Sequence, residues 1–315
     1  PPHKILETIV MAESGPLEYA SSCCIPTSWK EYQLVGVTPY NHDTSIFEFG
    51  LEEGQSLSLP VCGCILMANI PEGDEDEAVR PYTPISDNSM LGRFQLLIKR
   101  YPAWGEPHFH ANYRPPGVMS NYIHGLEVGA KVRFKHIAFN VKKPYPFTGV
   151  KTITMLAVGV GIAPMLQALH SILTTPGDTT KVVFVYGNRA VRDILMRERL
   201  DAWAKEYRER FTMVYAVGTR WHDFIIGANS GARIDPPPPE GFEGLNNGVT
   251  VGVEGWVGED NVRRFAFPPA ADTQVFVCGL PSVYESLCGP RGEKALTPMS
   301  VLRRLGYTED MVFKF

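Results

Sequence analysis

From Lys30 to about Lys135, short runs of alternating apolar and polar residues are separated by turns. EYQLVGV (31–37), TSIFEFGL (44–51), CILMANI (64–70), RFQLLIKR (93–100) and AKVRFK (130–135) each read as a strand, with no helical period between them. Strands at this spacing predict a small antiparallel β-barrel. One short helix is expected near residues 119–123, and 71–78, with its DEDE run, and 102–116 read as exposed loops.

After KKPYPFTG (142–149) the rhythm changes. TITMLAV (152–158), KVVFVY (181–186), FTMVYAV (211–217) and TQVFVC (273–278) are continuous apolar strands. Helices are expected at 164–173 and 191–210, the second with an apolar stripe of Met196, Leu200, Trp203 and Tyr207. Alternating β and α with such strands predicts a parallel sheet covered on both faces. The Gly-, Asn- and Pro-rich stretch 221–250 reads as a surface loop. The expected organisation is an N-terminal extension over 1–28, a β-barrel domain over 29–145 and an α/β Rossmann-like parallel-sheet domain over 146–315.

With 315 residues, 44% hydrophobic and 20% charged, the chain has the composition of a folded protein of two ordinary domains. A formal charge of -4 argues against nucleic acid as a partner. The apolar stretch 155–173 contains two glycines, a proline, Gln167 and His170, and is better explained as strand and turn than as a membrane span. The chain starts at Pro1, so membrane attachment is expected only through a segment upstream of it. Its six cysteines form no CxxC, so no metal site is assigned and His108 and His110 are left as loop surface; reduced thiols in an intracellular protein are the expectation.

Three motifs carry chemistry. In AVGVGIAP (157–164), Gly159 and Gly161 follow a strand and precede a helix whose first turn holds Pro164, a place where free amides receive an anion; a tight turn with no ligand explains it as well. RPYTPIS (80–86) places Arg80, a fork suited to a pyrophosphate, on the same side of a strand as Tyr82, while Thr83 points oppositely; an ordinary edge strand is the alternative. GVMS (117–120) leads a glycine turn into a short helix, with a plain N-cap as its alternative.

These motifs in this order, with CGLP (278–281), resemble the ferredoxin-NADP reductase superfamily. IKRY (98–101), FKHIAFN (134–140), MLQALHSIL (165–173), YGNRAVRDILMRERLDAW (186–203) and ESLCGPRGEK (285–294) narrow the resemblance to the NADH-cytochrome b5 reductase family, over about Lys30 to Phe315. The resemblance implies a flavoprotein that passes hydride from NADH to FAD and then single electrons to a haem protein such as cytochrome b5. Arg80, Pro81, Tyr82 and Thr83 would hold FAD, with Thr83 near flavin N5. Ile98 and Tyr101 would line the flavin site and Lys99 would face the nicotinamide nucleotide. Gly117, Met119 and Ser120 would cradle the FAD pyrophosphate, Gly159, Gly161 and Pro164 would bound the nucleotide site, and Cys278, Gly279 and Pro281 would shape the pocket for nicotinamide. Thr83, Lys99 and Cys278 are the expected catalytic residues. The resemblance also implies a monomer in mitochondria or at the endoplasmic reticulum.

Departures from the family pattern bear on each of these roles. Val158, Val160 and Ala163 replace a glycine and two hydroxyls of the familiar GGTGITP turn, Cys64 replaces a histidine, and Val118 replaces a lysine of mammalian members. An aspartate that disfavours a 2'-phosphate aligns with Gly218, followed by Thr219 and Arg220, which leaves NADPH open as donor. Lys131, Arg133, Lys135, Lys142 and Lys143 form a candidate docking face for an acidic haem protein, with ordinary solvated charges as the alternative. A reductase for another acceptor, such as quinones or a nitrate-reducing partner, and a catalytically silent nucleotide-binding relative are the competing readings.

Overall fold

The structure, a computed structural model, describes residues 23–70, 77–103, 115–137, 141–218 and 240–315. The chain divides into two compact units, Pro1–Tyr145 and Pro146–Phe315.

The first unit contains β1 (Lys30–Pro39), β2 (Thr44–Gly50), β3 (Ile65–Ala68), β4 (Val79–Tyr82), β5 (Arg93–Lys99), α1 (Val118–His124) and β6 (Lys131–His136). The strands form an antiparallel sheet of order β4-β3-β6-β1-β2-β5. Alternation decides which side is core: Tyr32 and Leu34 of β1 and Val132 and Phe134 of β6 point inward and are buried. Phe134 lies edge-on to Phe49 and Phe94, with ring centroids 4.7 and 5.4 Å away, a geometry that adds about 0.5–1.5 kcal/mol per pair beyond burial. The curl expected of a barrel is achieved without a β4–β5 ladder. Beyond β4, the Ile85 N–H reaches the Gln95 carbonyl (2.9 Å) and the Gln95 N–H reaches Ser86 Oγ (3.0 Å), joining the far edge.

The second unit contains β7 (Thr152–Val158), α2 (Ile162–Thr174), β8 (Lys181–Asn188), α3 (Arg197–Glu206), β9 (Phe211–Val217), β10 (Thr250–Glu254), α4 (Glu259–Phe265), β11 (Thr273–Cys278), α5 (Pro281–Leu287), α6 (Val301–Arg304) and β12 (Val312–Lys314). All strand pairs are parallel, in the order β10-β9-β8-β7-β11-β12. The order reverses between β7 and β11, so the carboxyl ends of these two strands bound the crevice where open α/β sheets bind ligands. Residues 155–173 divide between β7 and α2, and no helix among the described residues is long and apolar enough to cross a membrane.

The expected helix over 191–210 is broken. Val191–Asp193 is a 3-10 turn, Met196 sits at φ 56°, and the helix runs only from Arg197 to Glu206. Ile194, Leu195 and Met196 are all buried. Three successive residues fan over 200° of a helix and cannot share one stripe. Of the expected stripe, Trp203 and Tyr207 are only half-buried, their rings covered by Arg199 and Arg210. The loop assigned to 221–250 ends at β10, which pairs with β9 from Thr250 onward. Gly252 obscured that strand: the position admits only glycine because a Cβ there would lie 2.7 Å from Leu245 Cβ.

Candidate functional site

In the first unit, the described structure gathers most of the expected flavin residues into one chain of neighbours. Arg80 is exposed on β4, and its only side-chain bond goes to the carbonyl of Val79 (2.8 Å), with no carboxylate bridging it among the described residues. Pro81, Tyr82 and Thr83 are half-buried. Tyr82 packs against the core cluster that holds Ile98 and Met119, and burial pushes its phenol well above its ordinary range. Tyr101 in turn anchors the glycine turn: its carbonyl accepts from Gly117 N–H (2.9 Å) and Asn121 Nδ2 (2.7 Å), and its own N–H donates to Ser120 Oγ (3.2 Å).

A Cβ on Gly117 would fall 2.7 Å from Ser120 Oγ and 3.2 Å from Tyr101 Cβ, so glycine is required for this close turn. Ser120 is tied into the turn itself. Its hydroxyl is buried and committed to Tyr101 N–H and the Gly117 carbonyl, so it shapes the turn, and the first amides of α1 are what remain for an anion. Met119 and Ile98 are buried in the core beneath. An unbridged guanidinium, a tyrosine packed on the core beside it in sequence, and a glycine-opened turn anchored by a second tyrosine fit a pyrophosphate carried beside a flat ring system.

Lys99 is held by a residue that sequence reasoning missed. Its ammonium lies 2.6 Å from Asp43, with both side chains 17% exposed. Asp43 also accepts from Thr44 Oγ1 (2.9 Å). Burial would raise the Asp43 carboxyl, but the bonds from Lys99 and Thr44 and the Lys99 charge more than reverse this and hold it below its usual range. The HDT sequence entering β2 was the available signal: a short acid before a strand facing a strand lysine across the register Thr44–Lys99.

In the second unit, Val158 ends β7, Gly159 takes φ 54°, and Gly161 caps α2. A Cβ on Gly161 would stand 2.5 Å from the Cys278 carbonyl oxygen and 2.7 Å from its carbon. The turn therefore lies directly against the end of β11. Tyr186 Oη braces it by donating to the Gly159 carbonyl (2.8 Å). No side chain caps α2 and no acid occupies its first turn, where Pro164 is buried. The Ile162 N–H is already used on the Gly159 and Val160 carbonyls and Pro164 has none, so what this 13-residue helix presents to the crevice is its positive end, which fits an anionic nucleotide. The loss of glycine at Val158 brings no backbone strain, because its φ of -132° and ψ of 129° are ordinary extended backbone.

Cys278 is part-buried, and burial pushes its thiol up, opposed by a bond from Tyr284 and the charge of Arg291. At neutral pH it is an uncharged thiol. Gly279 is packed on Val283, with a Cβ position 3.0 Å from Val283 Cβ, and Pro281 starts α5. Gly218 stands at φ 143° with its Cβ position 3.1 Å from Gly255 N, a conformation that excludes the aspartate of the family pattern. Thr219, Arg220, His108 and His110 lie outside the described residues.

Three comparisons bear on this arrangement. Residues 31–138 match the oxidoreductase FAD-binding domain family and residues 155–223 the oxidoreductase NAD-binding domain family. NADH-cytochrome b5 reductase 2 of Mycosarcoma maydis is 31% identical over 293 residues, which cover 90% of this chain and 72% of that protein. NADH-cytochrome b5 reductase 2 of Saccharomyces cerevisiae (strain YJM789) is 31% identical over 292 residues, 91% of this chain and 83% of that protein. Among solved structures, the cytochrome b5 reductase domain of Ulva prolifera nitrate reductase superposes with a TM-score of 0.67 at 26% identity, covering 92% of this chain and 98% of that one. At that identity and coverage, the chain belongs to the NADH-cytochrome b5 reductase family and is an FAD oxidoreductase that transfers electrons from a reduced nicotinamide nucleotide.

Proposed function

We propose that the chain takes electrons from NADH and delivers them singly to cytochrome b5 or a similar haem protein, with FAD on the first unit and the nucleotide at the carboxyl edge of the second. FAD, when bound, supplies the conversion of a two-electron hydride into single electrons. The residues orient and screen; none has to act as a general base. Arg80 would neutralise the pyrophosphate, Tyr82 and Tyr101 would hold the ring system, Ile98 and Met119 would support it from the core, and Thr83 would serve the flavin's reactive edge. Lys99 keeps two of its three donors beyond the one given to Asp43, which suits it to a nucleotide oxygen. Cys278, kept neutral by burial, packs against the nicotinamide without adding charge.

The observation that carries the nucleotide site is the close approach of Gly161 to Cys278, whose carbonyl oxygen lies 2.5 Å from where a Gly161 Cβ would stand, so that the glycine turn and the end of β11 meet as the two walls of one crevice. Gly218 removes the acid that would repel a 2'-phosphate, so discrimination against NADPH is weak. Anaerobic mixing with each nucleotide tests both statements: flavin bleaching by NADH is expected, with NADPH slower by no more than about tenfold. No bleaching by either would contradict the reading. Arg80→Ala is expected to lose FAD, and a fully loaded variant would remove Arg80 from the site.

A different acceptor is favoured by one observation. Two of the five candidate docking charges face carboxylates, Lys131 at 3.5 Å from Glu31 and Arg133 at 3.1 Å from Glu77, and Arg133 and Lys135 both lie over the ring of Trp29. A cytochrome b5 reduction rate that does not change with salt would remove this face from docking. Six free thiols support an intracellular setting.

A further inference from the structure

Lys314 is the one lysine or arginine among the described residues that is buried, at 7% exposure. Its ammonium donates to three carbonyls, those of Pro290 (3.0 Å), Glu293 (2.7 Å) and Ala295 (3.0 Å). All three N–H groups are thereby used, which offsets the desolvation that otherwise disfavours a buried cation. The consequence concerns residues 290–295, an irregular surface segment pinned from within by a charge. Its entrance is fixed as well. Cys288 and Gly289 N–H both donate to the Tyr284 carbonyl at 2.7 Å, and Gly289 turns at φ 84° with its Cβ position 2.7 Å from Thr297 Cγ2.

The pinned segment presents Arg291 to solvent. Lys294 of the same segment is bridged to Asp310 at 2.5 Å, whereas no carboxylate bridges Arg291 among the described residues. Lys314 stands in register with Val277, one residue before Cys278 at the carboxyl end of β11, so the segment it pins lies beside that end, and the charge of Arg291 acts on both the Cys278 thiol and the Tyr284 hydroxyl. The opposite wall of that crevice is the glycine turn, where the positive end of α2 offers one anion partner. A nicotinamide dinucleotide carries two phosphates, and a planar guanidinium binds phosphate through two parallel hydrogen bonds.

We propose that Arg291 is a phosphate-recognising residue for the nicotinamide nucleotide and that Lys314 is the positioning residue that holds it there, an inference that rests on the nucleotide site proposed above. The test is calorimetric titration of the flavin-loaded protein with NAD+ and with nicotinamide riboside, which has no phosphate. Arg291→Gln is expected to weaken NAD+ about tenfold and leave the riboside unchanged. Lys314→Met is expected to reproduce that selective loss although Arg291 is present. Should Lys314→Met fail to fold, Arg291→Gln and Arg291→Lys, at an exposed position, carry the test. NAD+ binding by Arg291→Gln as tight as in the parent overturns the proposal, as does a change confined to the salt dependence of cytochrome b5 reduction. A parent protein that binds no NAD+ refutes the nucleotide site itself, a distinct result.

Discussion

Gly161→Ala separates backbone approach from helix propensity, because the two act with opposite sign. Gly161 has φ -61° and ψ -6°, which alanine adopts freely. On conformational grounds alone the substitution would stabilise the protein by about 0.4–1 kcal/mol. The new Cβ, however, would stand 2.5 Å from the Cys278 carbonyl oxygen, which is backbone and cannot swing aside. Ordinary C···O contacts lie at roughly 3.3–3.6 Å, so the turn and the end of β11 must part by about 0.8 Å. Overpacking of this kind costs about 1–3 kcal/mol, which outweighs the gain. A net loss near 1 kcal/mol lowers Tm by about 2–4 °C for a unit of this size. The displacement falls on both walls of the nucleotide crevice, and misplacement by about 1 Å costs on the order of 100-fold in rate. The assay is NADH:ferricyanide kinetics with flavin content and Tm measured on the same sample. We expect kcat/KM for NADH to fall about 10- to 100-fold while bound flavin is retained. A higher Tm with unchanged kcat/KM would refute the reasoning.

Asp43→Asn removes a carboxylate whose folded pKa lies below its unfolded value, so its stabilisation is present at neutral pH and is lost as pH falls through the folded value. The variant is expected to be less stable at pH 7 by about 1–3 kcal/mol, with the gap closing below about pH 4 in thermal melts; a gap independent of pH would contradict the Lys99–Asp43 account. Cys278, its thiol raised by burial, should react slowly with iodoacetamide at neutral pH and be protected by NAD+; fast, unprotected alkylation would place it outside the nucleotide pocket. Gly218→Asp restores the family residue at φ 143°, so it should sharpen preference for NADH but destabilise the protein by about 1–3 kcal/mol. Chemical denaturation and the ratio of kcat/KM for the two nucleotides check this, and a stable, NADH-selective variant would show that Gly218 was not demanded by the backbone.

Much of this architecture was legible because short alternating strands and continuous apolar strands differ in period. Tyr32, Leu34, Val132 and Phe134 alternate as a half-solvated sheet must, while Ile153 to Ala157 are buried without interruption, as a strand covered on both faces must be. The glycine turn was legible by spacing, but its reason was not: Gly161 is needed because of Cys278, more than a hundred residues away. What escaped has the same origin. Asp43 reveals itself only opposite Lys99, Lys314 only beneath three carbonyls, and the end of the helix at Met196 only once Ile194, Leu195 and Met196 each need burial. Gly252 hid β10 because a strand with a central glycine lacks the apolar run that marks its neighbours. Conversely, Val158 looks like damage in the motif, yet position 158 has ordinary extended backbone and carries no strain.

The central claim is tested most directly by the visible spectrum of the purified protein under anaerobic conditions, before and after NADH, followed by addition of oxidised cytochrome b5. The account predicts a flavin band that bleaches on NADH and returns as the cytochrome is reduced. A protein that carries no flavin after incubation with FAD, or one whose flavin is not bleached by NADH, would contradict it.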